Sequence, residues 1–250
     1  DLSIALAKRI NCAIMSADSM QIYKFMDICS AKVMPEEMDG VRHYLLDQLM
    51  PDEEFNIVQF KRMAMEALEE IYAQGQIPII VGGTGFYIHA LLYDTNFTDS
   101  DKDDTYRKQL EDFVQINGAH ALHEKLKEID PYSYETIHEN NVKRVIRALE
   151  YYMQTGSPIS VHNEQERQKK SPYNFAYFVL NDDRKILYDR IEKRIDLMME
   201  RGLLEEVQIL KNMGYHKDMV SMQGLGYKEI LDYLDGTCPL EEALHILKPE

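Results

Sequence analysis

The 250-residue sequence has no apolar run near the ~20 residues that span a bilayer, so no membrane attachment through a helix is expected. It has three cysteines, Cys12, Cys29 and Cys238, and no CxxC pair. That argues against a disulfide framework or a zinc site and fits a reducing cytoplasm. Positive charge is scarce: 28 Lys and Arg face 43 Asp and Glu, for a formal net charge of −15. Such a balance argues against indiscriminate nucleic-acid binding but leaves room for a local basic groove. The opening DLSIALAKRI lacks the basic region and small-residue cleavage site of a signal peptide. Asp1 lies inside a helical pattern and HILKPE stops as abruptly, so both ends are expected to be truncated.

Apolar residues make up 45% and charged residues 28%, the balance of a soluble globular protein with a sizeable core. Leu2, Leu6 and Ile10 recur at helical spacing and predict a helix with one buried stripe. CAIMSA reads as a short strand buried on both faces, as in parallel sheets, and Gln21 to about Pro51 as loop. NIVQFKRMAMEALEEIYAQGQ is the clearest helix, with Asn56 as cap, Phe60, Met63, Ala64, Ala67, Leu68 and Ile71 as apolar face, and Gly75 as stop. IPIIVGGTG then gives a strand and a glycine turn, and FYIHALLY a further helix. Strand, helix, strand, glycine turn, helix is a doubly wound α/β pattern.

The character changes after Asn96. An acidic cap region leads into helical patterns that continue to Gly156, with turns at Gly118 and Pro131 and no strand from Asp99 to Gly156. SVHNEQERQKKSPYN is expected to be flexible, and FAYFVLN (Phe175–Asn181) to restore a buried strand. Helices are expected over Asp182–Arg201, Leu203–Met213, Gly226–Leu234 and Leu240–Leu247. This gives an α/β parallel-sheet core over residues 1–95 and 173–250, interrupted by an all-helical insertion at 96–172.

Three features carry candidate chemistry. Asp18 directly follows the first strand, where ligands of open parallel sheets bind, and a carboxylate there can accept a proton or hold Mg²⁺. The plain alternative is a turn cap, with Ser19 beside it. In VGGTG, Val81 to Gly85, the glycines let the backbone approach a ligand, the helix N-terminus offers N–H groups to an anion, and Thr84 adds a hydroxyl. A tight turn would read the same way. Finally, Arg107, the cluster Lys143, Arg144 and Arg147, and the pair Arg190 and Arg194 supply cations suited to phosphate. Lys143 and Arg147 share a helix face, with Val142, Ile146, Leu149 and Met153 opposite. Solvated salt bridges are the plain alternative.

In order along the chain stand SADSMQIYKFMDICSAK, GVRHYLLD, IPIIVGGTGFYIHALL, IHENNVKRVIRALEYYMQTGSPIS and LGYKEILDYLDG. Together they resemble the tRNA dimethylallyltransferase (isopentenyl-tRNA transferase) family over essentially the whole chain. The resemblance implies a P-loop NTPase-like core with a helical insertion that grips tRNA. It implies transfer of a dimethylallyl group from dimethylallyl diphosphate to the N6 amine of the adenine 3′-adjacent to the anticodon, with Mg²⁺ as cofactor. Carried onto this sequence, it makes Asp18 the base, with Thr84 and Arg107 completing the catalytic set, and places Asp18, Ser19, Met20 and Gln21 in the tRNA-contact segment. Lys143, Arg144, Val145, Ile146 and Arg147 form a second tRNA-contact segment. Thr84 falls on the diphosphate side, Arg107 at diphosphate or tRNA phosphate, and Arg190 and Arg194 are added to the diphosphate site. A cytoplasmic monomer is expected.

The sequence also departs from the family. The family's P-loop, G-P-T-x-x-G-K-T, would precede Asp1; it would supply the main diphosphate cradle and a Mg²⁺-binding hydroxyl, and the chain as it stands is expected to be inactive without it. The Mg²⁺ ligands are expected there, with Asp18 as a further candidate. Phe25, Cys29 and Ser30 replace the Gly, Gly and Thr common in the family and put that loop's conformation in question. Three other functions compete: an adenine-nucleotide isopentenyltransferase, a P-loop small-molecule kinase and a non-catalytic RNA-binding module. The helical insertion and basic NVKRVIR face favour tRNA over free nucleotide.

Overall fold

Strand β1 (Ala13–Ser16) is buried along its whole length because parallel neighbours flank it on both sides. It pairs with β2 (His43–Tyr44), Ile14 opposite His43, and with β3 (Pro78–Val81), Ala13 to Ser16 opposite Pro78 to Val81. The sheet order is β2-β1-β3. This computed structural model describes residues 2–97 and 105–248. The acidic cap region expected just before Thr105 lies outside them.

Helix α1 (Leu2–Ile10) precedes β1, and helix α2 (Ile57–Ala73) crosses between β2 and β3. The Asn56 side chain caps α2 by accepting the Val58 and Gln59 amides at 3.0 and 3.1 Å, and Phe60, Ala64, Ala67, Leu68 and Ile71 are its buried face. After β3 the turn Gly82–Thr84 enters helix α3 (Gly85–Leu92). Phe60 stacks on Tyr87 at 4.2 Å between centroids, and Phe55 meets Tyr23, Phe60 and Tyr87 edge-on. These rings lock α2 and α3 to the loop after β1.

Four expectations need correction. The α1 stripe Leu2, Leu6 and Ile10 is exposed, and Ile4 and Ala7 turn toward Cys12, Ile14 and Val41 instead. Both stripes are apolar, so periodicity could not choose between them. The loop after Gln21 contains β2, two residues long and too short to show alternation. Phe175–Asn181 joins no ladder, and Phe178, Val179 and Leu180 are 74–81% exposed. A strand exists only when a neighbouring strand pairs with it, and among the described residues no ladder forms there. The first half of the polar stretch expected to be flexible forms a helix, Ile159–Arg167, and residues 168–174 have no regular structure.

The chain divides into two compact units, residues 1–91 with 175–250, and residues 92–174. The second unit is helical: α4 (Thr105–Glu124, broken at Gly118), α5 (Leu126–Ile129), α6 (Pro131–Thr136), α7 (Val142–Thr155) and α8 (Ile159–Arg167). Leu110, Leu122, Leu126, Val145, Ile146, Ala148 and Leu149 form its core. Buried Asp130 ties α6 to α8, accepting the Ser133 amide and hydroxyl at 3.0 and 2.8 Å and the Ser160 amide at 3.0 Å. That anchor, with the Asn96 amide on Glu166 at 2.8 Å, gives polar α8 the tertiary hold its sequence does not advertise. The first unit ends in α9 (Arg184–Glu200), α10 (Leu203–Asn212), α11 (Tyr227–Leu234) and α12 (Leu240–Leu247).

Candidate active site

The chain leaves β1 at Ser16 and is clasped at once by the glycine turn. The Ala17 amide donates to Val81 O at 2.7 Å, and the Thr84 amide donates to Ala17 O at 3.3 Å. A Cβ on Gly82 would overlap the Ala17 carbonyl, so only glycine lets the turn come this close. Thr84 also starts α3, its carbonyl accepting from Tyr87 and Ile88. The fold therefore brings Asp18 and Thr84 to the same end of the sheet through Ala17.

Asp18 is half-buried and held by one oxygen. Oδ1 accepts the Met20 and Gln21 amides at 2.8 and 3.3 Å, the turn cap that the plain alternative described. Among the described residues Oδ2 takes no hydrogen bond. Cap and chemical group are thus compatible: one oxygen fixes the carboxylate and the other is left for a ligand. Burial first, and then the Asp18 charge, push the Tyr87 hydroxyl up to about 12.

The loop after Asp18 is internally braced. Ser16 Oγ donates to Gln21 Oε1 at 2.9 Å, and Gln21 Nε2 donates to the Ser30 and Ala31 carbonyls at 3.2 and 3.3 Å. Gln21 spends its amide inside the protein, bracing the loop whose neighbours Ser19 and Met20 share the expected tRNA-contact segment. Sequence reasoning missed Lys32, whose buried ammonium donates to Tyr23 O, Asp27 Oδ1 and Asp47 Oδ1, each at 2.6 Å. A lysine in MDICSAK with acidic residues on either side was the available signal. Phe25 sits at φ +66°, the left-handed conformation that favours the glycine common at this position.

The cations fall in different settings. Arg107 belongs to the helical unit, where Nε and a terminal nitrogen donate to the two oxygens of buried Glu150 at 2.8 and 2.9 Å. Glu150 is the second residue the sequence did not reveal; its polarity within an apolar α7 face was the clue. Lys143 and Arg144 are exposed and Arg147 half-buried, and among the described residues none is in an ion pair. Val145 and Ile146, in the same segment, are core residues that hold α7 in the helical unit. Met153 is 68% exposed, so the apolar side of α7 does not run through it. In the other unit, Arg190 pairs with Asp182 at 2.9 Å, and Arg194 is exposed.

Among the described residues no group of three or more His, Cys, Asp or Glu is gathered to hold a metal ion. No helix among them is long and apolar enough to cross a membrane.

Residues 21–250 match the family model described as IPP transferase. The chain is 59% identical over 247 residues to a tRNA dimethylallyltransferase of Lachnoclostridium phytofermentans, covering 99% of this chain and 79% of that protein. It is 53% identical, over the same shares, to one from Acetivibrio thermocellus. A full-length tRNA isopentenylpyrophosphate transferase from Bacillus halodurans aligns with TM-score 0.69 and 45% identity, over 98% of this chain and 76% of that one. A eukaryotic dimethylallyltransferase acting on tRNA aligns with TM-score 0.82 and 28% identity, over 98% of this chain and 62% of that one. These likenesses bear out the P-loop NTPase-like fold expected from the sequence. The chain belongs to the IPP transferase family, the family of the tRNA dimethylallyltransferases.

Proposed function

We propose that the exit of β1 is where an adenine of tRNA receives a dimethylallyl group from dimethylallyl diphosphate. The observation that carries this reading is the asymmetric Asp18 carboxylate, with Oδ1 fixed by two backbone amides and Oδ2 open. The allylic C–O bond breaks and diphosphate leaves with the electron pair. The adenine N6 forms the new C–N bond and gives its surplus proton to Asp18 Oδ2. The adenine beside the anticodon leaves its stack to reach the carboxylate, as bases do in other base-modifying enzymes. Half-buried Ser19, Met20 and Gln21 line its approach.

Thr84 and the α3 N-terminus lie on the diphosphate side, where fixed donors oppose the charge that grows on the leaving group. Arg190 and Arg194 are assigned to the same side. Lys143, Arg144, Arg147 and Arg107 of the helical unit contact tRNA phosphates, Arg107 in the orientation Glu150 gives it. The described residues do not build a Mg²⁺ cage; a divalent ion there would be held by substrate phosphates and few protein groups. The proton transfer to Asp18 does not depend on it. A cytoplasmic monomer suits this role.

The test is to incubate full-length protein that carries the P-loop with Mg²⁺, labelled dimethylallyl diphosphate, and either AMP or an unmodified tRNA whose anticodon is followed by adenines. Label in tRNA alone supports the reading. Label in AMP alone makes the protein a nucleotide prenyltransferase. Label in neither, with tRNA bound, leaves a binding module, and ATP consumption would reveal a kinase.

A further inference from the structure

Outside the proposed site, Glu206 on α10 carries a carboxylate with four hydrogen bonds. Its Oε2 accepts the Asp27 and Ile28 amides at 2.9 and 2.7 Å, and its Oε1 accepts the Cys29 amide at 3.3 Å and the Tyr227 hydroxyl at 2.9 Å. Consecutive backbone N–H groups that converge in this way form an anion cradle. Here the cradle is filled by a side chain 177 to 179 residues away in sequence. Hydrogen bonds to a charged acceptor are roughly twice as strong as neutral ones, so this is a firm attachment for a loop with little regular structure.

We propose that Glu206 is a positioning residue for the transfer: it locks the loop that follows Asp18 so that the base is held in its working orientation. The inference rests on Asp18 being the base. The bonded path from Glu206 to Asp18 is short. Glu206 fixes the amides of residues 27 to 29; the next two carbonyls, of Ser30 and Ala31, hold the Gln21 side chain; and the Gln21 amide donates to Asp18 Oδ1. The same α10–α11 region grips the loop at two further points. Cys29 Sγ lies 3.2 Å from Leu225 O, and a Cβ on Gly226 would collide with that sulfur. A Cβ on Gly224 would fall 2.7 Å from Met20 Sδ. Both glycines leave room for the loop to seat, and Glu206 holds it there. Neither a charge pair nor a surface cap explains a carboxylate aimed into three loop amides.

The test uses Glu206→Ala, Glu206→Gln and Asp18→Asn in full-length protein that carries the P-loop, with tRNA and dimethylallyl diphosphate. Gln can keep the two shorter bonds to residues 27 and 28, so it serves as partial rescue. With Glu206→Ala, kcat is expected to fall about tenfold or more, as misplacement near a reacting group does, with affinity for dimethylallyl diphosphate unchanged. Glu206→Gln should fall between Ala and wild type. Amide exchange should rise in the 20–31 segment and stay unchanged in α2 and α7. If Glu206→Ala folds with wild-type kcat while Asp18→Asn is inactive, the positioning role is wrong and the base assignment stands. If Asp18→Asn keeps full turnover, the base assignment itself fails. Exchange that rises uniformly would reduce Glu206 to a general stabiliser and overturn the proposal. Should Glu206→Ala not fold, Tyr227→Phe removes one of the donors; faster exchange in 20–31 with lowered kcat supports the lock, and wild-type values for both refute it.

Discussion

Gly82 and Ala17 approach more closely than any side chain on Gly82 would allow. The Ala17 amide and carbonyl are bonded to Val81 and Thr84, on either side of that glycine pair, so the residue before Asp18 is clamped by the turn that begins α3. Gly82→Ala must push the turn away from β1. An expected loss of about 1–3 kcal/mol follows from overpacking a backbone that cannot yield locally, with turnover falling at the same time. Gly83, one residue on, has open space where its Cβ would be. Gly83→Ala should leave the urea midpoint near wild type. Equal stability for the two variants would show that the clamp is not tight.

Asp18→Asn separates the two uses of that side chain. Asparagine keeps an oxygen for the Met20 and Gln21 amides but cannot take a proton. The variant should unfold like wild type and bind tRNA within about twofold, while its single-turnover rate falls ~10²–10⁴-fold, the usual worth of a general base. Asp18→Ala should lose the turn cap as well, at a cost of about 1 kcal/mol. Wild-type turnover by the asparagine variant would remove Asp18 as base.

What was legible in the sequence is what local chemistry decides. The Asn56 cap, the apolar face of α2 and the buried run of β1 each announce themselves within a few residues. The position of Asp18 after a core strand was equally visible. What stayed hidden depends on distant partners. Glu206 reads as one more acid on an amphipathic helix until residues 27 to 29 close on it. Glu150 is unremarkable until Arg107 meets it. Phe175–Asn181 has the composition of a strand but no ladder partner among the described residues, and α8 has the composition of a linker but an anchor in Asp130. Periodicity reports which faces are apolar; it does not report who sits opposite.

Arg107 and Glu150 form a two-point pair in which the carboxylate is almost fully buried and the guanidinium 42% exposed. Arg107→Ala strands the Glu150 charge and should cost about 1–3 kcal/mol. Arg107→Ala with Glu150→Ala removes both charges and should recover part of that stability. The proposed phosphate contact would still be missing, so tRNA affinity should stay low and its salt dependence reduced. Recovery of affinity along with stability would mean that Arg107 serves the fold alone.

Asp130 makes the helical unit acid-sensitive. Burial by itself pushes its carboxyl up, but the hydrogen bonds from Ser160 and Ser133 outweigh burial and hold it below the ordinary carboxylate value. The unfolded chain therefore binds this proton more readily than the folded one. Stability from Asp130 is complete above the unfolded value, about 3.9, and drains away as pH falls through the lower folded value. Asp130→Asn should be less stable than wild type at pH 6, by about 1–3 kcal/mol for a buried carboxylate that accepts several bonds. The gap should narrow below pH ~4, because wild type loses with acid what the variant never had. Urea unfolding of both proteins between pH 3 and 6, followed by amide exchange in α6 and α8, reads this directly. A gap that is constant across that range would mean the Ser133 and Ser160 bonds do not favour the ionised carboxylate, and that Asp130 acts only through its shape.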